Sequence, residues 1–251
     1  MARIGRLGVR VYGLAAILLG LVGLAFGDFA SVWQPVPATI PGRTILAYLV
    51  AALLLAAGVA VQWRRTARPG VITLTGLYAL GVLALHVPRV IGHPLAFSAY
   101  AGVAEQMAIV AGGLFGIALI ADLTTTTRAR LIKTAQVIFG VCLIAFAAAH
   151  FVDLPDTAAY VPKWLPPSQL FWAYATGAAH LAAAVAILSG VLDRLAARLA
   201  TLMFIGFGLL VHLPNLAGDL HNHFNWSANA INLALVGAAW TMVDGLDRRD
   251  A

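Results

Sequence analysis

The sequence predicts an all-α membrane protein: eight transmembrane helices as two parallel four-helix repeats, with both termini cytoplasmic. Three observations support this: long apolar blocks, a fixed offset between the halves, and an uneven distribution of basic residues. Of the 251 residues, 61% are apolar and 10% are charged, whereas soluble domains carry roughly 25% charged residues. Lipid cannot hydrogen-bond exposed backbone groups, so blocks of about 20 apolar residues are expected to be helices.

Eight apolar blocks are long enough to cross a bilayer. The first follows several arginines and imitates a secretory signal peptide, but we expect it to be retained as the first membrane helix. A polar segment, 123–130, separates a first repeat, 1–122, from a second, 131–251. The predicted spans are 9–27, 44–63, 70–88, 98–121, 131–152, 168–189, 195–214 and 226–243.

The two halves repeat each other at one fixed offset. LHVPRVIGHP in the first half aligns with VHLPNLAGDL in the second, so that His86 pairs with His212, 126 positions later. The same offset pairs Tyr48 with Tyr174. An ungapped offset of this kind is typical of an internal duplication. Because each repeat has an even number of helices, we expect the two to be related by an axis along the membrane normal.

Basic residues lie mostly on one side of the predicted bundle. That side holds 13 of the 16 lysines and arginines, and the positive-inside rule therefore places both termini in the cytoplasm. The net charge of +6 does not indicate nucleic-acid binding, because the basic residues form short clusters between apolar blocks. A single cysteine, Cys142, excludes an intramolecular disulfide. The outer loops carry aromatic residues, including Trp33, that suit the lipid headgroup region.

Two motifs in the second half point to a family. Between Val161 and Leu188 a Pro-Trp-Leu-Pro loop leads into a Phe-Trp-x-Tyr-x-x-Gly helix, and His212 begins the segment HLPNLAGD. Both resemble the DoxX-like family of small bacterial membrane proteins. Members generally have four helices, so this chain looks like two fused units, the first more divergent.

The resemblance implies a multi-pass protein of the bacterial cytoplasmic membrane with a redox-linked role. The family takes its name from a subunit associated with thiosulfate:quinone oxidoreduction, which implies a quinone and a periplasmic or membrane redox partner besides the lipid bilayer. It supplies no catalytic motif that could be transferred residue by residue. The alternative is a non-catalytic membrane partner or a small-molecule permease, and whether the chain is itself an oxidoreductase stays open at this point.

Glu105 and two histidines, His86 and His212, are the first candidates for a site. Glu105, the only glutamate in the chain, lies about two turns into the fourth predicted helix, where an ionisable group is costly unless it is paired, neutral or beside water. It suits either a proton donor or acceptor or a structural carboxylate. His86 and His212 each precede a proline by two residues, so their helices should end or kink there. These imidazoles line a polar pocket or simply cap helix ends.

Amide side chains and one deeper histidine are further candidates. Asn225, Asn229 and Asn232 share one face of the eighth predicted helix, where they either hydrogen-bond to neighbouring helices or line a cavity. Gln106 occupies the position that matches Asn232. His180 lies near mid-membrane, where a bond to Glu105 or to a carbonyl is the simpler interpretation.

Taken together, these residues predict an outward-facing polar cavity for a quinone, a transition metal or a non-covalent haem. The alternative is an inert polar network. We assign catalytic roles to Glu105, His86 and His212, and add His150 to these three as a metal-ligand set. The expected cofactor-binding residues are Tyr48, Tyr174, His180, Gln106, Asn229 and Asn232.

Overall fold

The computed structural model describes residues 7–249, except for the side chain of Arg249, and this range contains helices but no strand. Seven of its helices are long and apolar enough to cross a membrane. A short helix, α6 (Leu154–Tyr160), and a long final helix, α9 (His223–Arg249), complete the described elements. The seven are α1 (Leu7–Phe26), α2 (Arg43–Val61), α3 (Ala67–Gly92), α4 (Phe97–Ile120), α5 (Thr125–Val152), α7 (Gln169–Ser189) and α8 (Asp193–Gly218).

Helices α4 and α9 form the centre of the bundle. Helix α4 packs against α3, α5 and α9, while α9 packs against α1, α4 and α8. Small residues allow these contacts: a side-chain carbon on Gly112 of α4 would come within 2.3 Å of Ala238 Cβ in α9. Close approach through small residues is the usual way in which helices associate in lipid. Helix α9 is therefore mostly buried although it is less apolar than the other long helices.

The outer surface of the bundle is apolar. Large side chains such as Leu49, Leu83 and Leu202 are exposed on α2, α3 and α8. Contiguous exposure of this kind is unusual for a soluble monomer and normal for a surface that contacts lipid. The long apolar helices and this apolar outer surface are those of a multi-pass membrane protein.

Helix bounds in the two halves correspond closely. Helix α8 begins and ends 126 residues after α3, and α9 begins 126 residues after α4. Each of α3 and α8 contains one five-residue π-helical segment, Val82–His86 and Gly208–His212, and these are separated by the same 126 residues.

The π-helical segments explain how α3 and α8 pass the prolines at which the sequence predicted an end or a kink. Proline lacks an N–H group, and its ring clashes with the carbonyl four residues earlier. Widening the preceding turn accommodates this clash without ending the helix. The helices continue to Gly92 and Gly218, four residues beyond the predicted ends at Pro88 and Pro214.

The polar segment predicted as a linker between the halves is largely helical. Helix α5 begins at Thr125 because the Thr124 side chain accepts a hydrogen bond from the Thr127 backbone N–H at 3.2 Å, which caps the helix. The first turns of α5 therefore extend beyond the apolar block that was used to predict its start.

Polar contacts between α1, α4, α8 and α9 connect the helices at one end of the bundle. The Gly8 backbone N–H donates to Asp244 at 3.2 Å, which places the start of α1 beside the end of α9. Arg198 at the start of α8 donates two hydrogen bonds to Asp247 at 3.1 Å, and Arg248 donates to the Leu119 carbonyl at 3.0 Å. The candidate site lies in the half of the bundle toward the opposite, arginine-poor end.

Candidate functional site

A cavity of about 200 Å³ lies among α4, α5, α7, α8 and α9. Most of its wall is apolar and aromatic, and the polar groups come from these five helices and the loop between α1 and α2. Its polar and aromatic lining consists of Trp33, Glu105, Phe146, His150, His180, Phe204, Phe207, His212 and Asn232. The structure thus brings together Glu105 and four other residues that the sequence singled out.

Glu105 is held by a tryptophan of the loop between α1 and α2. The Trp33 indole N–H donates to Glu105 Oε2 at 3.0 Å, and the indole ring stacks on Phe224 at a centroid distance of 5.3 Å. Trp33 is only 8% exposed, so it forms part of the cavity wall and does not lie in the headgroup region as predicted. Glu105 Oε1 makes no hydrogen bond with the residues that the structure describes.

His86 does not line this cavity, contrary to the prediction. The His86 ring is fully buried, 1% exposed, and its Nε2 contacts the Trp33 carbonyl oxygen at 3.0 Å. A carbonyl only accepts, so Nε2 carries the proton. His86 therefore fixes the backbone of Trp33, and its effect on Glu105 is indirect.

His150 and His180 are neighbours in the cavity wall, with ring centroids 5.0 Å apart. His150 Nδ1 contacts the Phe146 carbonyl oxygen one turn earlier at 2.8 Å. His180 is 2% exposed, and neither of its ring nitrogens has a hydrogen-bond partner in the described part of the chain. It is surrounded by aromatic rings, with Phe146 at 5.7 Å and Phe204 at 5.9 Å. The predicted bond from His180 to Glu105 is therefore not formed, and the Thr176 backbone one turn earlier influences the ring without a hydrogen bond of normal geometry.

The three asparagines on one face of α9, Asn225, Asn229 and Asn232, have two different roles. Asn229 Nδ2 donates to the His212 carbonyl at 2.9 Å, and Asn225 Nδ2 donates to the Asn215 carbonyl at 3.0 Å. These two residues attach α9 to the last turns of α8. Asn232 Nδ2 donates to the Phe204 carbonyl at 3.2 Å, and the residue also lines the cavity.

Four predicted cofactor-binding residues are not part of the cavity lining: Asn229, whose bond to α8 is given above, and Tyr48, Tyr174 and Gln106. Tyr48 and Tyr174 are 45% and 48% exposed on the outer surfaces of α2 and α7. Gln106 is buried, 4% exposed, with its Nε2 unpartnered, but it is not among the lining residues. Helix periodicity explains why Gln106 is absent from the lining: it follows Glu105 directly in the helix, so its side chain points about 100° away from that of Glu105.

The predicted metal-ligand set of His86, His150, His212 and Glu105 has no support in the geometry. Among residues 7–249, no group of three or more histidine, cysteine, aspartate or glutamate side chains is placed to hold one metal ion. Size gives a further constraint, because pockets that enclose drug-sized ligands typically measure roughly 300–1,000 Å³. A cavity of about 200 Å³ accepts a single small ring, and a haem macrocycle is too large for it.

The cavity belongs mainly to the second half of the chain. His180 and His150 match Leu54 and Leu24 of the first half at the 126-residue offset. The first half contributes Trp33, Ala101 and Glu105 to the wall. The aromatic walls and the role of Trp33 were missed by sequence reasoning, since a tryptophan in a Pro-rich outer loop is equally typical of an interfacial anchor.

Comparison with protein families gives a match in the second half of the chain. A family described as a domain of unknown function (DUF8561) matches residues 139–242, which span most of the second half, from α5 into α9. No curated protein matches the chain. No solved structure matches it.

Proposed function

We propose that the chain is a redox-linked protein of the bacterial cytoplasmic membrane, related to the DoxX-like family, and that its cavity binds the ring of a quinone or quinol. The observation that carries this proposal is the lining itself. Aromatic side chains surround imidazoles, one carboxyl group and one amide in a space of about 200 Å³. Flat walls suit a ring, and the polar groups suit the oxygens at its edge.

The membrane arrangement in this proposal has eight spans. Helix α9 is the eighth: it is 27 residues long, about 40 Å at 1.5 Å per residue, and it is enclosed by other helices, so it does not need an apolar surface. The end of the bundle that carries Arg198 and Arg248 then faces the cytoplasm. The cavity faces the opposite side, where a periplasmic or membrane redox partner has access.

Duplication accounts for the matched halves in this proposal. The shared 126-residue offset of α3 with α8, and of their π-helical segments, supports a fusion of two four-helix units. The first unit kept an apolar interior at Leu54, and the second acquired His180 at the matching position. One unit therefore serves mainly as a packing partner, while the other holds the ligand.

The test is saturation binding of a short-chain benzoquinone to the purified full-length protein in detergent. Ala228 lines the cavity and is 6% exposed, so Ala228→Phe places a ring in the space that the ligand needs. Ala182→Phe adds the same ring on the exposed surface of α7 and is the matched control. We expect one site per chain, lost in Ala228→Phe and kept in Ala182→Phe. Absence of saturable binding to the wild type would refute the proposal.

A further inference from the structure

The hydrogen-bonding groups of the cavity wall restrict the choice of ligand more closely than the cavity volume does. His150 Nδ1 contacts the carbonyl oxygen of Phe146 at 2.8 Å, and since a carbonyl can only accept, Nδ1 must carry the proton. In a neutral imidazole the other nitrogen is then an acceptor. His150 Nε2 is therefore a fixed acceptor and makes no hydrogen bond with the described residues.

The orientation of the Asn232 side-chain amide is also fixed by a hydrogen bond. Its Nδ2 donates to the carbonyl oxygen of Phe204 at 3.2 Å, which assigns the amide orientation, because an amide oxygen at that position would face another acceptor. The amide oxygen, Oδ1, remains as a second fixed acceptor. It makes no hydrogen bond with the residues that the structure describes.

The donors in the wall are either already used or adjustable. The Trp33 indole N–H is engaged by Glu105 Oε2. His180 has no hydrogen-bond partner for either nitrogen, so as a neutral ring it can offer one donor and one acceptor in either arrangement. Glu105 Oε1 and the His212 ring also line the cavity and make no hydrogen bond with the described residues, and a carboxyl group or a neutral imidazole can donate or accept according to where its proton lies. The wall thus contains two groups that are fixed as acceptors, and its other unused polar groups are adjustable.

We infer that the cavity selects the reduced, hydroxyl-bearing form of its ring ligand, a hydroquinone, over the corresponding quinone. This inference rests on the proposed function and deepens it by naming the form that binds. A hydroquinone O–H donates to His150 Nε2 or Asn232 Oδ1, while its oxygen still accepts from an imidazole N–H. A quinone oxygen can only accept, so it leaves both fixed acceptors unpaired. Each unpaired buried acceptor weakens binding by about fivefold or more, so leaving both unpaired weakens it by more than about tenfold.

The experiment compares dissociation constants for one ring in its two forms, with the full-length protein in detergent under anaerobic conditions. We expect the hydroquinone to bind at least about tenfold more tightly than the quinone. His150→Phe and Asn232→Leu each remove one fixed acceptor, so each reduces that ratio toward one by weakening the hydroquinone alone. His93→Phe changes an exposed histidine outside this cavity and leaves the ratio unchanged.

Each result decides one claim. Equal or tighter binding of the quinone by the wild type overturns the inference and leaves the proposed function standing. A wild-type preference that persists in both His150→Phe and Asn232→Leu also overturns it, because the preference then arises elsewhere. Failure of every ring form to bind refutes the proposed function itself.

Discussion

Replacing His180 with an apolar residue of similar size should stabilise the protein. The ring is 2% exposed and neither nitrogen is hydrogen-bonded within residues 7–249. A buried polar group without a partner costs about 1–3 kcal/mol. Leucine has a similar size and is present at the matching position of the first half, Leu54, where it is 3% exposed. We therefore expect His180→Leu to raise the free energy of unfolding by about 1–3 kcal/mol.

The single buried cysteine provides the assay. Cys142 is 4% exposed, so a thiol-reactive dye that fluoresces on coupling reports its exposure as the protein unfolds on heating. At about 2–4 °C per kcal/mol for a chain of this size, the midpoint should rise by about 2–12 °C. His93→Leu, at an exposed histidine, should leave the midpoint within about 1 °C.

Ligand binding is the second readout for the same variant. Because His180 is an adjustable hydrogen-bonding group of the cavity wall, His180→Leu should weaken binding of the ring while it stabilises the protein. A lower midpoint in His180→Leu would refute this reasoning, since it would mean that the imidazole makes a stabilising bond. The reverse change, Leu54→His, should lower the midpoint.

Three further results are expected. Asn229→Ala removes the 2.9 Å bond to the His212 carbonyl and should lower stability by about 0.6–2 kcal/mol in the dye assay; an unchanged midpoint would contradict that role. Gly112→Ala should reduce the yield of folded protein, because the added carbon meets Ala238. The control Gly76→Ala should be tolerated, because its added carbon meets nothing within 4 Å. Equal yields of the two variants would argue against the tight packing of α4 on α9. A reporter fused after residue 251 should be active in the cytoplasm, and periplasmic activity would reverse the proposed orientation.

The helices could be predicted from the sequence because mean hydropathy is a property of a whole segment and does not depend on any single residue. The predicted spans lie within a few residues of α1, α2, α4 and α7. Larger differences occur where one residue's local chemistry was given too much weight. Pro88 was read as a helix end, whereas a π-helical segment carries α3 on to Gly92. The polar start of α5 was read as a linker because its threonines lack an apolar period, although Thr124 caps a helix.

For the site, depth along each helix could be predicted but rotation could not. Glu105, His150 and His212 were placed at similar depth, and they do share a cavity. His86 was expected there by analogy with His212, yet its ring contacts the Trp33 carbonyl. Which way each ring turns depends on packing between helices that are distant in sequence. The loop that carries Trp33 has no periodicity from which its buried position could be read.

The most direct test of the central claim is to locate a bound ring. A quinone analogue that carries a photoactivatable group on its ring would be illuminated with the purified protein, and the labelled peptides would be mapped by mass spectrometry. The account predicts labelling within Phe204–His212 of α8 and Ala228–Leu235 of α9, which contribute to the cavity wall, and competition by unlabelled hydroquinone. Labelling confined to exposed surfaces such as those around Tyr48 and Tyr174, without competition, would contradict it.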